Sequence, residues 1–120
     1  TFSKYSSVAD IYFAGHYHNP KAPRLITNQD MKENGFNIDV IADISCDIDG
    51  PIASTIRPST IDDPIYGYHK LNSVECDFHD SNAIAVMAVD NLPCELPRDS
   101  SEMFGEMYLN HVIPSFFNND

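Results

Sequence analysis

Three short apolar runs constrain the fold of this 120-residue chain more than any other feature. They lie near residues 11–15, 39–45 and 83–89, and Asp43 is the charged misfit inside the second run. Strands that are buried on both faces, as in a parallel sheet, read as short continuous apolar runs of this kind. The runs therefore predict an α/β fold with mainly parallel strands.

The segments between the runs predict short helices and one long loop. Phe2, Tyr5 and Val8 recur at three-residue steps, which favours a short helix before a buried first strand. A further helical turn is expected between Thr27 and Gly35, because Thr caps the start of a helix and Gly ends it well. Prolines interrupt residues 46–71, so an ordered functional loop without a regular element is expected there.

The C-terminal region predicts an amphipathic helix from about residue 98 to residue 113. Asp99 and Glu102 have the spacing of an N-terminal capping box, and Pro114 ends the helical pattern. Between these limits one stripe of the helix is apolar: Met103, Phe104, Met107, Tyr108 and Val112.

Charge and composition exclude several classes of partner. Seven Lys and Arg against 18 Asp and Glu give a formal net charge of -11, which would repel nucleic acid. No apolar run approaches the roughly 20 residues that a membrane span needs, and no secretory signal is evident. The three cysteines are not in a Cys-x-x-Cys spacing and are expected to be reduced thiols. These features predict a cytoplasmic protein without a nucleic-acid or membrane partner.

Asp43, Asp47 and Asp49 crowd the end of the second predicted strand, just before Gly50. Open parallel sheets bind ligands at this end of their strands, where carboxylates could hold a ribose or a nicotinamide amide, or polarise a substrate amine. Solvated turn residues are the alternative explanation. Calcium is disfavoured, because an EF-hand loop in this register would end on Ile56 in place of a Glu.

Other candidate motifs carry less weight. His16 and His18 could supply two metal ligands, but no partner lies at a recognised zinc spacing, so no metal is predicted. A Cys-His nucleophile at Cys46 gains little support, because the sequence shows nothing that would position a base beside this cysteine. A glycine-rich phosphate loop and a Gly-x-Ser-x-Gly motif are both missing from the sequence, so these residues alone cannot cradle a pyrophosphate.

Taken in order, several segments resemble the alanine dehydrogenase and saccharopine dehydrogenase (lysine-ketoglutarate reductase) family. The Arg57-to-Pro64 segment is similar to the arginine-proline-threonine-threonine segment of alanine dehydrogenases, and residues 89–105 look most like the saccharopine branch. The remaining matching segments are Ala9-Asp10-Ile11, the stretch from Asn19 to Thr27, and the stretch from Ile41 to Asp47. The resemblance covers nearly the whole chain and identifies it as the C-terminal part of such an enzyme.

The resemblance implies a fold and a division of the chain. A Rossmann-like three-layer sandwich would hold NAD or NADP, and a second domain would close over an amino-acid or keto-acid substrate. Residues 1–50 would provide later strands of the cofactor-binding domain. Residues 51–120 would provide the end of that sheet and the C-terminal segment that returns to the substrate domain.

The resemblance also implies roles for particular residues. Asp47 and Asp90 would be catalytic and would also contact the cofactor. The other expected cofactor-binding residues are His16, Tyr17, Ile44, Ser45, Cys46, Val89, Asn91 and Leu92.

The resulting hypothesis is a fragment of an NAD(P)-dependent oxidoreductase that acts on the CH–NH group of an amino acid. The complete parent would be the enzyme, and the isolated chain would be inactive. A non-catalytic module that forms homo-oligomers is the alternative, since an open sheet edge and an uncovered apolar face favour self-association. A metal-binding domain through His16 and His18 ranks third.

Overall fold

A computed structural model describes residues 2–117, which form two compact units. The first unit ends at Asp90 and the second begins at Asn91.

A five-stranded sheet forms the first unit. Its strands are β1 (Ile11–Ala14), β2 (Val40–Asp43), β3 (Ile65–His69), β4 (Glu75–Cys76) and β5 (Ala83–Met87), in the spatial order β1-β2-β5-β3-β4. β1, β2 and β5 are mutually parallel neighbours, whereas β3 runs antiparallel to both β5 and β4. The predicted α/β class is therefore confirmed, and its three parallel strands coincide with the three apolar runs.

The β3–β4 hairpin corrects the expectation of an irregular loop over residues 46–71. Ile65, Tyr66 and Tyr68 are strong strand formers, and they directly follow the last proline of that stretch. Gly67 between the two tyrosines obscures the alternation, yet a side chain there would collide with the backbone of Asp77 and Phe78, 2.6–2.7 Å from an added Cβ. The glycine is required by close chain approach inside a strand.

One face of the sheet carries the hydrophobic core. Tyr12, Ile41, Val86 and Tyr66 lie side by side on this face, and the last three are buried. The β1–β2 connection packs Ile26, Met31 and Ile38 against it, and the β2–β3 connection packs Ile52 and Ala53 there as well. Both connections thus cover the same face.

The opposite face of the sheet is apolar and open in the first unit. Phe13 and Ile11 of β1 are 70% and 54% exposed, and Val40 and Ile65 are also exposed. Their register places Ala42, Ala85 and Met87 between them on this face. β1 is thus an edge strand with one open side, which corrects the expectation of a buried first strand.

Two short helices precede β1 and β2. α1 (Ser3–Ser6) and α2 (Asn28–Met31) occupy the places where helical turns are expected. The Thr27 hydroxyl accepts a hydrogen bond from the Asp30 amide, and the Asp30 carboxylate accepts one from the Thr27 amide. This reciprocal capping box satisfies two amides that the helix start leaves unpaired, and it fixes α2 although the helix has only four residues.

The second unit is helical from Leu92 to Phe116. A 3-10 turn (Leu92–Glu95) leads into α3 (Pro97–Met107), a π-helical turn (Tyr108–Val112) and a further 3-10 turn (Ile113–Phe116). The expected helix is present, but its α-helical part ends at Met107. The expected Asp99–Glu102 box is wrong, because the helix begins at Pro97 and Asp99 lies inside its first turn. Within residues 2–117, none of the helices is long and apolar enough to cross a membrane.

Candidate functional site

The carboxyl ends of β1, β2 and β5 lie along one edge of the sheet, because these strands are parallel. Three segments leave this edge: residues 15–18, residues 44–50 and residues 88–90. The backbone amides of Ile44 and Ser45 donate hydrogen bonds to the carbonyl of Ala14, at 2.8 and 3.2 Å. The Cys46 thiol donates to the carbonyl of Ala88 at 3.2 Å. The sheet therefore holds the ends of its three parallel strands together.

A fourth segment joins this edge through Ser59, which the sequence did not single out as a site residue. The Ser59 amide donates to the carbonyl of Ala88 at 2.8 Å, and the Ser59 hydroxyl accepts from the Ala88 amide at 3.0 Å. Ser59 and Val89 form an isolated parallel bridge. The only sequence signal near this contact is general: the Arg57-to-Pro64 segment contains hydroxyl side chains between prolines.

Asp43 is fully buried at the end of β2. Its Oδ1 accepts from the Ser45 hydroxyl at 2.6 Å and from the amides of Ser45 and Cys46, both at 3.2 Å. Its Oδ2 accepts from the Thr55 hydroxyl at 2.6 Å. A buried carboxylate without such donors would strongly destabilise the fold, and four donors replace the water that burial removes.

The loop after Asp43 has a tight, left-handed backbone. Cys46 and Asp49 have φ values of 47° and 55°, a region that non-glycine residues seldom occupy. The Gly50 amide donates to the Asp47 carbonyl at 2.9 Å. A Cβ on Gly50 would lie 2.6 Å from both the Cβ and the carbonyl oxygen of Asp47. Gly50 therefore allows the loop to fold back closely onto Asp47.

The Cys46 thiol has an acidic environment. Burial raises the pKa of this thiol, and the negative charges of Asp90, Asp43 and Asp47 raise it further. Cys46 is accordingly a neutral donor, which agrees with its hydrogen bond to Ala88 and not with a role as a thiolate nucleophile. The hydrogen bond from Cys46 to Ala88 holds the loop that carries Asp47 beside the segment that carries Asp90.

The structure brings together part of the predicted site. Ile44, Ser45, Cys46 and Asp47 share the loop after β2, and Val89 and Asp90 follow β5.

The remaining predicted residues are less constrained. Tyr17 is 93% exposed, and the buried Nε2 of His16 finds no hydrogen-bond partner among residues 2–117. Asn91 and Leu92 belong to the second unit, where Asn91, with φ 59°, precedes a 3-10 turn. The roles of all these residues stay predictions.

A metal centre gains no support from the described part of the chain. Across residues 2–117, no three or more His, Cys, Asp and Glu side chains are grouped so that they could hold a metal ion. All three cysteines are free thiols. A cavity of about 380 Å³ lies between Phe2, Leu25 and Phe36, and none of the predicted site residues lines it.

The hairpin is tied to the segment that carries Ser59. Arg57 forms a two-pronged ion pair with Glu75 of β4, at 3.0 and 2.8 Å, and its guanidinium lies 4.5 Å from the centre of the Tyr66 ring. The Tyr66 hydroxyl donates to the Ser54 carbonyl and accepts from the Ile56 amide. These contacts hold the segment before Ser59 against β3.

An open sheet with polar loops at the shared carboxyl ends of its parallel strands is the architecture of α/β domains that bind ligands at this edge. The family described as alanine dehydrogenase/PNT, C-terminal domain, matches residues 14–115. The chain belongs to this family, as the sequence motifs indicate.

Several curated relatives are similar to most of this chain. An alpha-aminoadipic semialdehyde synthase of Arabidopsis thaliana is 33% identical over 99 residues, which cover 80% of this chain and 9% of that protein. The mitochondrial enzyme of the same name from Bos taurus is 30% identical over 82% of this chain and 12% of its own length. A saccharopine dehydrogenase [NAD(+), L-lysine-forming] of Emericella nidulans is 29% identical over 88% of this chain and 28% of its own length. The chain thus spans under a third of these relatives.

Proposed function

We propose that this chain is the part of an NAD(P)-dependent amino-acid oxidoreductase that faces the nicotinamide end of the cofactor. The reaction would be hydride exchange between the cofactor and a carbon that bears an amine, with saccharopine or a related amino acid as the substrate. The names of the relatives and the family support this class of reaction. The alanine branch of the family is the second substrate candidate.

The hydrogen bond between the Cys46 thiol and the Ala88 carbonyl carries this proposal, because it joins the loop that bears Asp47 to the segment that bears Asp90 at the carboxyl edge of the sheet. Oxidised nicotinamide has a positively charged ring, and an amino-acid substrate has an ammonium group. Both charges suit a site that is bordered by carboxylates. The two carboxylates therefore fit the nicotinamide end of the cofactor. The sequence of this chain contains no glycine-rich loop that could bind the pyrophosphate.

Each residue would have a simple task at this edge. The loop from Ile44 to Asp47 would lie along the nicotinamide ribose, together with His16 and Tyr17. Asp47 and Asp90 would orient the ring amide and the substrate amine, and would stabilise positive charge that develops during hydride transfer. Val89 is buried at the end of β5 and would support Asp90 at this edge. The bound cofactor would supply the hydride chemistry itself.

A nucleotide titration of this chain tests the proposal without the rest of an enzyme. We expect nicotinamide mononucleotide, in its oxidised form, to bind with a Kd on the order of 1 mM, about -4 kcal/mol. Amide resonances of residues 44–47 and 88–90 should shift in two-dimensional NMR spectra. The reduced mononucleotide should bind more weakly, because its ring is neutral.

Three variants sharpen the titration. Asp47→Asn and Asp90→Asn should each weaken binding of the oxidised mononucleotide, whereas Asp49→Asn is the matched control and should not. The proposal is wrong if no resonance shifts up to about 10 mM nucleotide, some ten times the expected Kd. It is also wrong if the shifts lie away from the strand ends.

The open face of the sheet favours a second candidate function, a module that associates with itself. Phe13, Ile11, Val40 and Ile65 form an exposed apolar face, which a second copy of the chain would cover. We propose a homo-oligomer on this ground, independently of cofactor binding. The three free thiols fit a reducing compartment, and the cytoplasm is our proposed location.

A further inference from the structure

Asp43 is the charged side chain whose burial in the core lacks an explanation from folding alone. It lies at the carboxyl end of β2, an interior strand of the sheet. An apolar residue would fill the same space without the free-energy cost of removing a carboxylate from water. The reason for its presence should therefore be sought in what its four donors do.

The two oxygens of Asp43 have different partners. Oδ1 accepts all three of its hydrogen bonds from Ser45 and Cys46, which are the second and third residues of the loop after β2. Oδ2 accepts a hydrogen bond from Thr55, which lies further along the connection between β2 and β3. Thr55 also accepts at its carbonyl from the Asp49 amide, at 3.3 Å. Asp43 therefore fastens the start of the loop directly, and its bond to Thr55 joins that start to the residue whose carbonyl holds Asp49.

The fastened loop has a conformation that its residues would not prefer by themselves. Cys46 adopts a positive φ directly after the amides that Asp43 holds, and Asp47 follows it. Left-handed conformations of non-glycine residues persist when surrounding contacts determine them. The direction in which the chain leaves Cys46 therefore depends on the bonds to Oδ1.

We propose that Asp43 is the positioning residue of the site: its buried carboxylate fixes the Ser45–Cys46 turn and thereby sets the place of the Asp47 carboxylate before a ligand arrives. The role in ligand binding rests on the function proposed above, whereas the fixing of the turn does not. Asp43 acts through the loop and is not a catalytic residue.

Reactivity of the Cys46 thiol reports on the turn directly. In a chain with Cys76→Ser and Cys94→Ser, Cys46 is the one cysteine that iodoacetamide can alkylate. Asp43→Ala should raise its alkylation rate about tenfold or more, because the turn opens locally. Asp43→Asn removes the same charge but should react several-fold more slowly than Asp43→Ala, since the Asn oxygen can accept the Oδ1 bonds and its NH₂ can donate to Thr55. Asp49→Asn, on the exposed part of the loop, is the matched control and should leave the rate unchanged.

Thr55→Val separates positioning from general stability. It removes the bond to Oδ2 and leaves the bonds to Oδ1, so it should lower the unfolding midpoint while alkylation of Cys46 under native conditions stays within about twofold. Equal alkylation rates for Asp43→Ala and the unchanged chain would overturn the proposal. So would equal alkylation rates for Asp43→Asn and Asp43→Ala.

Hydrogen exchange of the unchanged chain decides the matter if Asp43→Ala does not fold. The Cys46 amide, which donates to Asp43, should exchange as slowly as the amides of β2, and exchange at the rate of an open loop would overturn the proposal. The titration with oxidised nicotinamide mononucleotide then tests the ligand role separately. If Asp43→Asn retains nucleotide binding and Asp43→Ala loses it, both proposals hold. If the alkylation rates show a fixed turn but the unchanged chain does not bind the nucleotide, the proposed function is wrong and the positioning role still holds.

Discussion

Removal of one hydroxyl, in Tyr66→Phe, tests how the hairpin holds the segment that leads to Ser59. The Tyr66 side chain is buried, and its hydroxyl makes two hydrogen bonds, to the Ser54 carbonyl at 2.9 Å and from the Ile56 amide at 3.2 Å. A buried group that loses its only partner costs about 1–3 kcal/mol, so two such groups would set an upper limit near 6 kcal/mol. The Ile56 amide also donates to the Ser54 carbonyl at 3.1 Å. Each group therefore keeps the other as a partner.

We accordingly expect the loss to be that of two ordinary bonds, about 1–2 kcal/mol in the free energy of unfolding. Urea denaturation followed by far-ultraviolet circular dichroism measures it, and with an m value of about 1.5 kcal/mol/M the midpoint should fall by roughly 1 M. Tyr17→Phe is the matched control, because this side chain is almost fully exposed and should leave the midpoint unchanged. A loss below about 0.3 kcal/mol, or one above about 4 kcal/mol, would refute the reasoning from hydrogen bonds.

Four further predictions concern chemistry and assembly. The isolated chain should neither bind NAD(H) at micromolar levels nor oxidise alanine or saccharopine, as absorbance at the reduced cofactor's band would show; measurable turnover would contradict this. In a complete dehydrogenase that carries the domain, Asp47→Ala and Asp90→Ala should each lower kcat/KM by roughly 30- to 1000-fold, about 2–4 kcal/mol. Asp49→Ala should lower it far less, and equal small losses would reduce all three to turn residues. Sedimentation of the dilute chain should show a dimer or larger species that Phe13→Asp dissociates; a stable monomer would oppose self-association. The raised pKa of Cys46 should shift its alkylation profile to higher pH than in urea, where the ordinary value of 9.0 applies. The stability linked to this protonated thiol is therefore present below about pH 9 and is lost as the pH rises through the folded pKa.

The parallel half of the sheet could be predicted because its strands are short, apolar and bounded by turn residues. Ile41, Ile84 and Val86 are fully buried on one face, as continuous apolar runs indicate. Exposure of the other face could not be read from the same runs. A strand has the same apolar composition whether its second face is covered by this chain or by another part of the protein.

The site was predictable in position but not in detail. Strand ends followed by Asp and Gly mark the ligand edge of a parallel sheet, and the acidic loop after β2 lies there. In the sequence, Asp43 stands out as a charged residue within an apolar run, whereas no feature singles out Ser59. Their roles depend on Thr55 and Ala88, which are 12 and 29 residues away along the chain and become neighbours only when the sheet forms. The Asp99 box failed for a local reason, since Pro97 is a better first residue for the helix and displaces Asp99 from the cap.

The order of strands has a consequence for the sequence of events in folding. β5 is the last strand along the chain, yet it lies at the centre of the sheet, between β2 and β3. The β1–β2 pair and the β3–β4 hairpin can each form early, but they meet only through β5. During synthesis the sheet therefore cannot close until about residue 87 has left the ribosome, and it then closes by insertion of one strand into a gap. Because this step joins distant parts of the chain, we expect it to limit the folding rate.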